Sequence, residues 1–253
     1  MRSYDHRVHA GNAGDVWKHF LLLEAADHCL ARSGLNYAES HVGRPDYALS
    51  VPGEWENGIG RCWQRLPDLQ KFLYFRILAD LNCQSTKRYP GSARLVLEWS
   101  KKRSQKLSAD IWDTDPGVAS EWGEYAMARS GKVGFHREDG FSGVMAQLDC
   151  SVGGLLLVDP PHLDPTSADL AERLLSKAED RGWVALLWEM MSERTSPGCS
   201  FETYELEFER AGLSCGRWTG AVVSLAGADD ILRQRLRRSI QEFLKILDPK
   251  GTF

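Results

Sequence analysis

The stretch Leu155-Leu156-Leu157-Val158-Asp159-Pro160-Pro161-His162 ends a continuous apolar run in a carboxylate, and two prolines then stiffen the backbone. Asp159 can accept one hydrogen of an amine and the carbonyl of Pro160 the other. A delocalised exocyclic amine, such as N6 of adenine, is a poor nucleophile. Two fixed acceptors favour the pyramidal geometry from which it can attack an electrophilic methyl group. Acceptors set in place before reaction are electrostatic preorganisation, and positioning of the partners supplies much of the remaining rate. The competing reading of a lone Asp-Pro-Pro is a plain strand-to-loop turn. In amino-methyltransferases the following residue is usually an aromatic that stacks on an extruded base; here it is His162, a smaller ring that can also stack.

A second polar concentration is Tyr4-Asp5-His6-Arg7-Val8-His9-Ala10-Gly11-Asn12-Ala13-Gly14-Asp15-Val16-Trp17-Lys18-His19, ahead of a helical pattern. Asp15 is the expected N-cap. Lys18 and His19 then fall in the first turn, where the helix dipole favours an anionic ligand group. His6, His9 and His19 could together hold zinc, but their spacing fits no familiar ligand set, and no metal is assigned. An ordinary capped helix carrying surface histidines accounts for the same residues. Two basic clusters, Lys101-Lys102-Arg103 with Lys106 and Arg233, Arg235, Arg237 with Arg238, read equally as a nucleic-acid face or as solvated helix faces.

These residues need a scaffold, and the pattern supplies one. The 253 residues are 43% hydrophobic and 26% charged with a formal net charge of −4, a globular composition that argues against a chain coated in positive charge. There is no apolar run long enough to span a membrane and no leader signature at the N-terminus. Cysteines 29, 62, 83, 150, 199 and 215 are scattered and read as reduced thiols, so the expected location is cytoplasmic. Helical periodicity over 15–31 precedes a strand at 35–39. Residues 44–91 read as a small inserted subdomain, with helical patterns near 54–66 and 68–82 and little strand character. From 92 onward helices (92–103, 116–129, 140–148, 167–180) alternate with strands (108–113, 132–136, 154–158, 183–188). Strands at 203–209 and 221–225 and a helix at 229–247 follow. Such alternation predicts an α/β, doubly wound open sheet, mostly parallel, with helices on both faces. The corresponding domain is 1–43 with 92–253, and ligands belong at the carboxyl ends of its strands.

The N-terminal stretch resembles the signature Y-x-H-x-x-H-A-G-N-x-x-D-V-x-K-H of the RlmJ family, which methylates N6 of an adenine in 23S ribosomal RNA. Arg88-Tyr89-Pro90-Gly91-Ser92, Glu138-Asp139-Gly140-Phe141 and Leu157-Val158-Asp159-Pro160-Pro161 resemble further family elements in the same order, so the resemblance covers roughly 3–190. It implies a Rossmann-like class I methyltransferase with a small helical insertion, S-adenosylmethionine as cofactor, ribosomal RNA as partner, and no obligate protein partner or membrane. It implies Asp159 and Pro160 as the catalytic pair. Lys18, His19, His41, Ser92, Asp113, Asp139, Gly140 and Asp159 would line the cofactor, with Asp113 on the ribose hydroxyls and Asp139 on the adenine amine. Tyr4 and His162 would meet the target base. This chain departs from the family at Glu39-Ser40-His41-Val42-Gly43-Arg44-Pro45, where a second glycine is lost and Arg44-Pro45 enters the cofactor loop. It departs again at His162 and at Glu189-Met190, where an aromatic and a proline are usual. Two alternatives stay open at this point: a catalytically reduced RNA-binding relative, and a DNA adenine-N6 methyltransferase.

Overall fold

The computed structural model describes residues 9–31, 34–82, 88–127, 132–161, 163–192 and 200–248. Helix α1 (Ala13–Leu30) leads into strand β1 (Leu35–Glu39). Two short strands, β2 (Asp46–Ala48) and β3 (Arg88–Pro90), then bracket a 3-10 turn at Glu54–Asn57 and helices α2 (Ile59–Trp63), α3 (Leu66–Leu69) and α4 (Leu73–Leu81). There follow α5 (Ser92–Lys102), β4 (Leu107–Trp112), α6 (Pro116–Met127), β5 (Lys132–His136), α7 (Gly140–Cys150), β6 (Gly154–Val158) and α8 (Pro165–Asp180). The chain closes with β7 (Trp183–Met191), β8 (Glu202–Glu207), β9 (Gly220–Ala226) and α9 (Asp230–Leu247).

Seven strands form one sheet in the order β5-β4-β1-β6-β7-β9-β8. Neighbours from β5 to β7 are parallel, while β9 runs antiparallel to both β7 and β8. This is the Rossmann-like, mostly parallel sheet expected of the class I methyltransferase architecture. The order of building reverses between β1 and β6, so a crevice opens beyond their carboxyl ends. Register places Glu39 of β1 beside Leu157 of β6, two residues before Asp159. The chemistry-bearing tip therefore sits at the switch point.

Central strands buried on both faces need apolar cover from each side. On one face α1 is buried almost all round, because the insertion and α9 enclose it; Trp17, Phe20, Phe72, Phe75 and Phe243 form its aromatic packing. On the other face α7 and α8 pack Val144, Leu148, Leu174 and Leu175 against Leu156, Val158 and Ala185.

Three expectations change. The insertion contains the paired strands β2 and β3, too short at three residues each to leave a period-2 pattern. Strand β7 runs three residues beyond 188, because Met191 still pairs with Gly220 of β9. Helix α1 is capped by Asn12, whose side chain accepts from the Asp15 backbone N–H at 2.9 Å, not by Asp15. The Asp15 carboxylate accepts instead from the Gly11 N–H at 2.9 Å. Lys18 and His19 thus stand in the second turn, away from the dipole end.

Helix α7 starts against the loop after β1. A methyl group on Gly140 would lie 1.5 Å from the carbonyl oxygen of Ser40, a backbone atom that cannot step aside cheaply. We expect Gly140→Ala to lose about 1–3 kcal/mol of stability, the usual cost of overpacking. Urea denaturation checks this, and a midpoint equal to the parent's would show that the two backbones are not in contact.

Candidate active site

The site is organised by one buried cation. Lys18 is 4% exposed, and its Nζ lies 2.7 Å from Oδ2 of Asp159 and 3.0 Å from Asp15. Its ammonium also sits 4.6 Å from the centre of the Trp188 ring, a cation–π contact in a place water barely reaches. Burial alone lowers the proton affinity of an amine, but Asp15 and Asp159 outweigh it and hold Lys18 far above the ordinary lysine range. The ammonium is therefore a fixed charge that clamps one oxygen of Asp159 at the end of β6 and leaves the other to accept from a ligand.

Glu39 ends β1 alongside it, fully buried. Its carboxyl accepts from the Tyr37 hydroxyl at 2.6 Å and from the Ser92 hydroxyl at the start of α5. Desolvation pushes this carboxyl from the ordinary 4.5 up to about 8, against the opposing pull of the two hydroxyls. Glu39 is thus neutral near pH 7, and Ser92 touches the site only through it.

His41 follows on the loop, half-buried. It bonds Ser40 Oγ at 2.8 Å and meets the ring of Phe141 edge-on at 4.9 Å. Burial pushes its imidazole below the usual range, while Asp159, Asp113 and Asp139 all pull the other way. Three carboxylates from the ends of β4, β5 and β6 therefore converge electrostatically on one ring. Asp113 accepts from the N–H groups of Gly43 at 3.0 Å and Asp115 at 2.8 Å, which pins the loop after β1. Asp139 caps α7 by accepting from the Ser142 N–H at 2.8 Å. Gly140 lies directly behind.

His19 goes elsewhere. It is buried beneath the insertion, its Nδ1 2.8 Å from the Tyr89 hydroxyl, which in turn lies 2.7 Å from that of Tyr74. His9 pairs with Glu54 at 2.9 Å, so these two imidazoles serve different partners. Tyr4, His6 and His162 lie outside the described residues. Pro160 is buried immediately behind Asp159.

Two of the three departures are taken up by packing. The Arg44 guanidinium turns away to pair with Glu121 of α6, and its backbone N–H donates to the Tyr47 hydroxyl at 2.8 Å. The carbonyl of Pro45 accepts from the Gly91 N–H at 3.1 Å. Met190 and Trp188 pack against Gly14 at the start of α1.

The sequence reading passed over Glu39, Trp188 and Glu54. Glu39 carried a signal, being the last residue of the strand at 35–39; nothing in the pattern singled out Trp188 or Glu54. Three of the four arginines in the cluster on α9 are paired within the fold: Arg233 and Arg237 with Glu202, and Arg235 with Glu24 and Asp27. A cavity of about 1170 Å³ opens at the opposite, amino ends of the strands, lined by residues such as Asn36, Ser100, Lys106 and Val152. None of the site residues line it, and open α/β sheets bind ligands at the other edge.

Comparison with known proteins gives the relatives. The family model described as Ribosomal RNA large subunit methyltransferase D, RlmJ, matches residues 32–188. The ribosomal RNA large subunit methyltransferase J of Haemophilus influenzae is 28% identical over 192 residues, covering 72% of this chain and 66% of that protein. Its Escherichia coli counterpart is 33% identical over 178 residues, covering 64% of this chain and 60% of that protein. The chain thus spans just under two thirds of these curated relatives. A crystallised protein from Legionella pneumophila superposes with a TM-score of 0.70 at 20% identity, covering 95% of each chain, and shows the same fold. Among the described residues no helix is long and apolar enough to cross a membrane.

Two expectations follow from the buried charges. Lys18→Met leaves two carboxylates facing each other without their cation and should cost about 3–5 kcal/mol of stability; guanidinium melts measure it, and a loss under about 1 kcal/mol would put the ammonium in water. Glu39 has a folded-state pKa above its unfolded one, so its stability contribution is full below about pH 4.5 and is lost as pH rises through about 8. The melting temperature of Glu39→Gln relative to the parent should therefore climb between about pH 5 and pH 9. A flat difference would mean that Glu39 titrates like an exposed carboxyl.

Proposed function

Because the chain belongs to the RlmJ family of ribosomal RNA large subunit methyltransferases, we propose that it moves a methyl group from S-adenosylmethionine to N6 of an adenine in 23S ribosomal RNA. The observation that carries this reading is the Lys18–Asp159 contact of 2.7 Å at the sheet's switch point, with Pro160 buried behind it. It is the rigid acceptor pair that amine methylation needs.

The residues present suit the cofactor. Polar acceptors for its hydroxyls and amine are available from Asp113 and Asp139, each of which has acceptor capacity beyond the backbone bonds it already receives. The Arg44 side chain is committed to Glu121, so its bulk is drawn out of the loop where the backbone meets the donor. Asp113 would take the ribose, Asp139 and Gly140 the adenine end, and Lys18 with His41 the methionine end, where a cation suits the carboxylate. Ser92 and His19 act from behind, through Glu39 and Tyr89. S-adenosylmethionine, when bound, supplies an electrophilic methyl group.

The chain's own work is to hold the amine. Asp159 receives one N6 hydrogen on the oxygen that Lys18 does not occupy, and the Pro160 carbonyl receives the other. The amine sheds its proton only after it has become cationic, so Asp159 acts by hydrogen bonding and need not be a strong base. Tyr4 and His162 would flank the extruded base, a role that stacking side chains fill in base-flipping enzymes. We assign methyl transfer to the portion made of 1–43 and 92–253, and treat 44–91 as an inserted subdomain offering RNA a further surface. With ribosomal RNA as substrate the place of work is the cytoplasm.

Labelled methyl transfer to a 23S ribosomal RNA transcript tests the reading against a DNA strand of the same sequence. RNA should be methylated at N6 and DNA left almost unlabelled, because only RNA offers 2′-hydroxyls. Asp159→Asn should lower turnover by about 10²–10³-fold or more, the usual effect of losing a preorganised electrostatic partner. Calorimetric affinity for S-adenosylmethionine should stay within a few-fold. Full turnover in Asp159→Asn would remove the carboxylate from the mechanism.

A further inference from the structure

Between β8 and β9 the chain makes a long excursion, residues 208–219, that is folded rather than loose. Phe208, Ala211, Leu213 and Cys215 are buried under it, and the Phe208 N–H donates to the Thr219 carbonyl at 2.9 Å. At its tip Cys215 to Trp218 close a tight turn, with the Trp218 N–H donating to the Cys215 carbonyl at 2.9 Å. Gly216 takes a φ of 53° at the first central position, a conformation that only glycine adopts without strain.

That turn presents Arg217. The guanidinium is exposed and lies 4.6 Å from the centre of the Trp218 ring, stacked on a half-buried indole whose backbone is fixed by the turn. Among the described residues many arginines are paired with carboxylates, including Arg44, Arg88, Arg94, Arg233, Arg235 and Arg237. The nearest carboxylate to this turn is Glu54, and it is already engaged: one oxygen meets His9 at 2.9 Å, the other accepts from Asn12 at 3.2 Å and from the Cys215 thiol at 3.4 Å. Among the described residues Arg217 has no carboxylate partner, and the residue is exposed.

The turn also stands on the working edge of the sheet. Thr219 donates its N–H to the Met191 carbonyl at 3.0 Å, and Met191 ends β7 four residues past Leu187, which is in register with Val158 just before Asp159. At the strand rise Met191 stands about 10 Å beyond the level of Asp159. The Ser214 N–H donates to the Asn57 carbonyl at 3.3 Å, which joins the excursion to the insertion.

We propose that the Arg217–Trp218 turn is an RNA contact that docks the nucleotides flanking the target adenine, the guanidinium on a phosphate or an unstacked base and the indole beneath holding it flat. The proposal rests on the reading of the site as an RNA methyltransferase. Its chemistry is that of single-strand recognition, in which a positive charge and an aromatic plane act together and sequence matters little. The position adds binding energy at a distance from the reacting amine, so it should govern RNA affinity and leave chemistry alone.

The experiment uses the full chain and a 23S ribosomal RNA transcript, with Arg217→Ala and Arg217→Lys as variants. Arg217 is exposed, so both should fold and melt as the parent does. In Arg217→Ala the KM for RNA should rise about 5–10-fold with kcat and S-adenosylmethionine affinity unchanged, and the salt dependence of RNA binding should be shallower by about one phosphate contact. Arg217→Lys should keep the salt slope yet recover only part of the affinity, because an ammonium has the charge but not the plane. A parent that methylates RNA beside an Arg217→Ala variant with unchanged KM and slope overturns the turn's role and leaves the enzyme reading standing. A loss seen only on ribonucleoprotein particles and not on the naked transcript also overturns it, since the contact would then be with protein. A parent that transfers no methyl group to RNA overturns both.

Discussion

The contact between Lys18 and Asp159 is what the rest of the site is arranged around. A carboxylate at the tip of a buried strand, next to a buried proline, has little water to stabilise it, and a lysine as deep as Lys18 has less. Each is tolerable only because the other is there, together with Asp15 and the face of Trp188. Pairing of this kind adds little net stability over an apolar substitute, but it fixes geometry, since neither partner can leave without stranding a charge. The constraint reaches outward: Lys18 can stand where it does only if α1 runs at one depth under β6 and β7. The insertion, the Trp17 indole bonded to the Tyr204 carbonyl, and the α9 aromatics hold α1 at that depth.

The adjacent Glu39 obeys the same logic with the opposite result. No cation touches it closely enough to offset desolvation, so burial wins and the carboxyl is kept neutral, with hydroxyls from Tyr37 and Ser92 as its neighbours. Two acids two strand positions apart in register thus meet different surroundings: Asp159 is clamped by an ammonium, and Glu39 is a neutral brace between β1 and α5.

How much of this is legible in the chain follows from the range of the interaction responsible. Strands 35–39, 132–136 and 154–158 coincide with the sequence expectation because each is a short segment set off by turn residues, and 154–158 is also a continuous apolar run. Where partners decide, the reading slips. The end of β7 depends on Gly220, some thirty residues away, and the cap of α1 on a contest between Asn12 and Asp15 that only the path of the chain from Gly11 resolves. The same holds in the site. Lys18 and Asp159 could be named because they occupy a patterned segment and a strand end, and Asp113 and Asp139 because of the family resemblance. That His41 feels three carboxylates at once, or that His19 turns its ring to Tyr89, is a fact about distant segments meeting.

The loop after β1 shows how a substitution that looks hostile in one dimension is absorbed in three. Arg44 and Pro45 stand where a flexible glycine would let backbone approach a ligand, and bulk there argues for a crowded donor site. The arginine side chain instead spans to Glu121 on α6, while the carbonyls of Gly43 and Pro45 accept from the Trp122 indole at 2.8 Å and the Gly91 N–H at 3.1 Å. The loop that a glycine leaves free is here held on both sides. A held loop gives up adaptability and gains order before any ligand arrives, which lowers the entropic cost of binding when the preset shape is the right one and raises a barrier when it is not. Arg44 and Pro45 thus fix the shape of the loop's backbone, and their side-chain and carbonyl bonds are the means of fixing it.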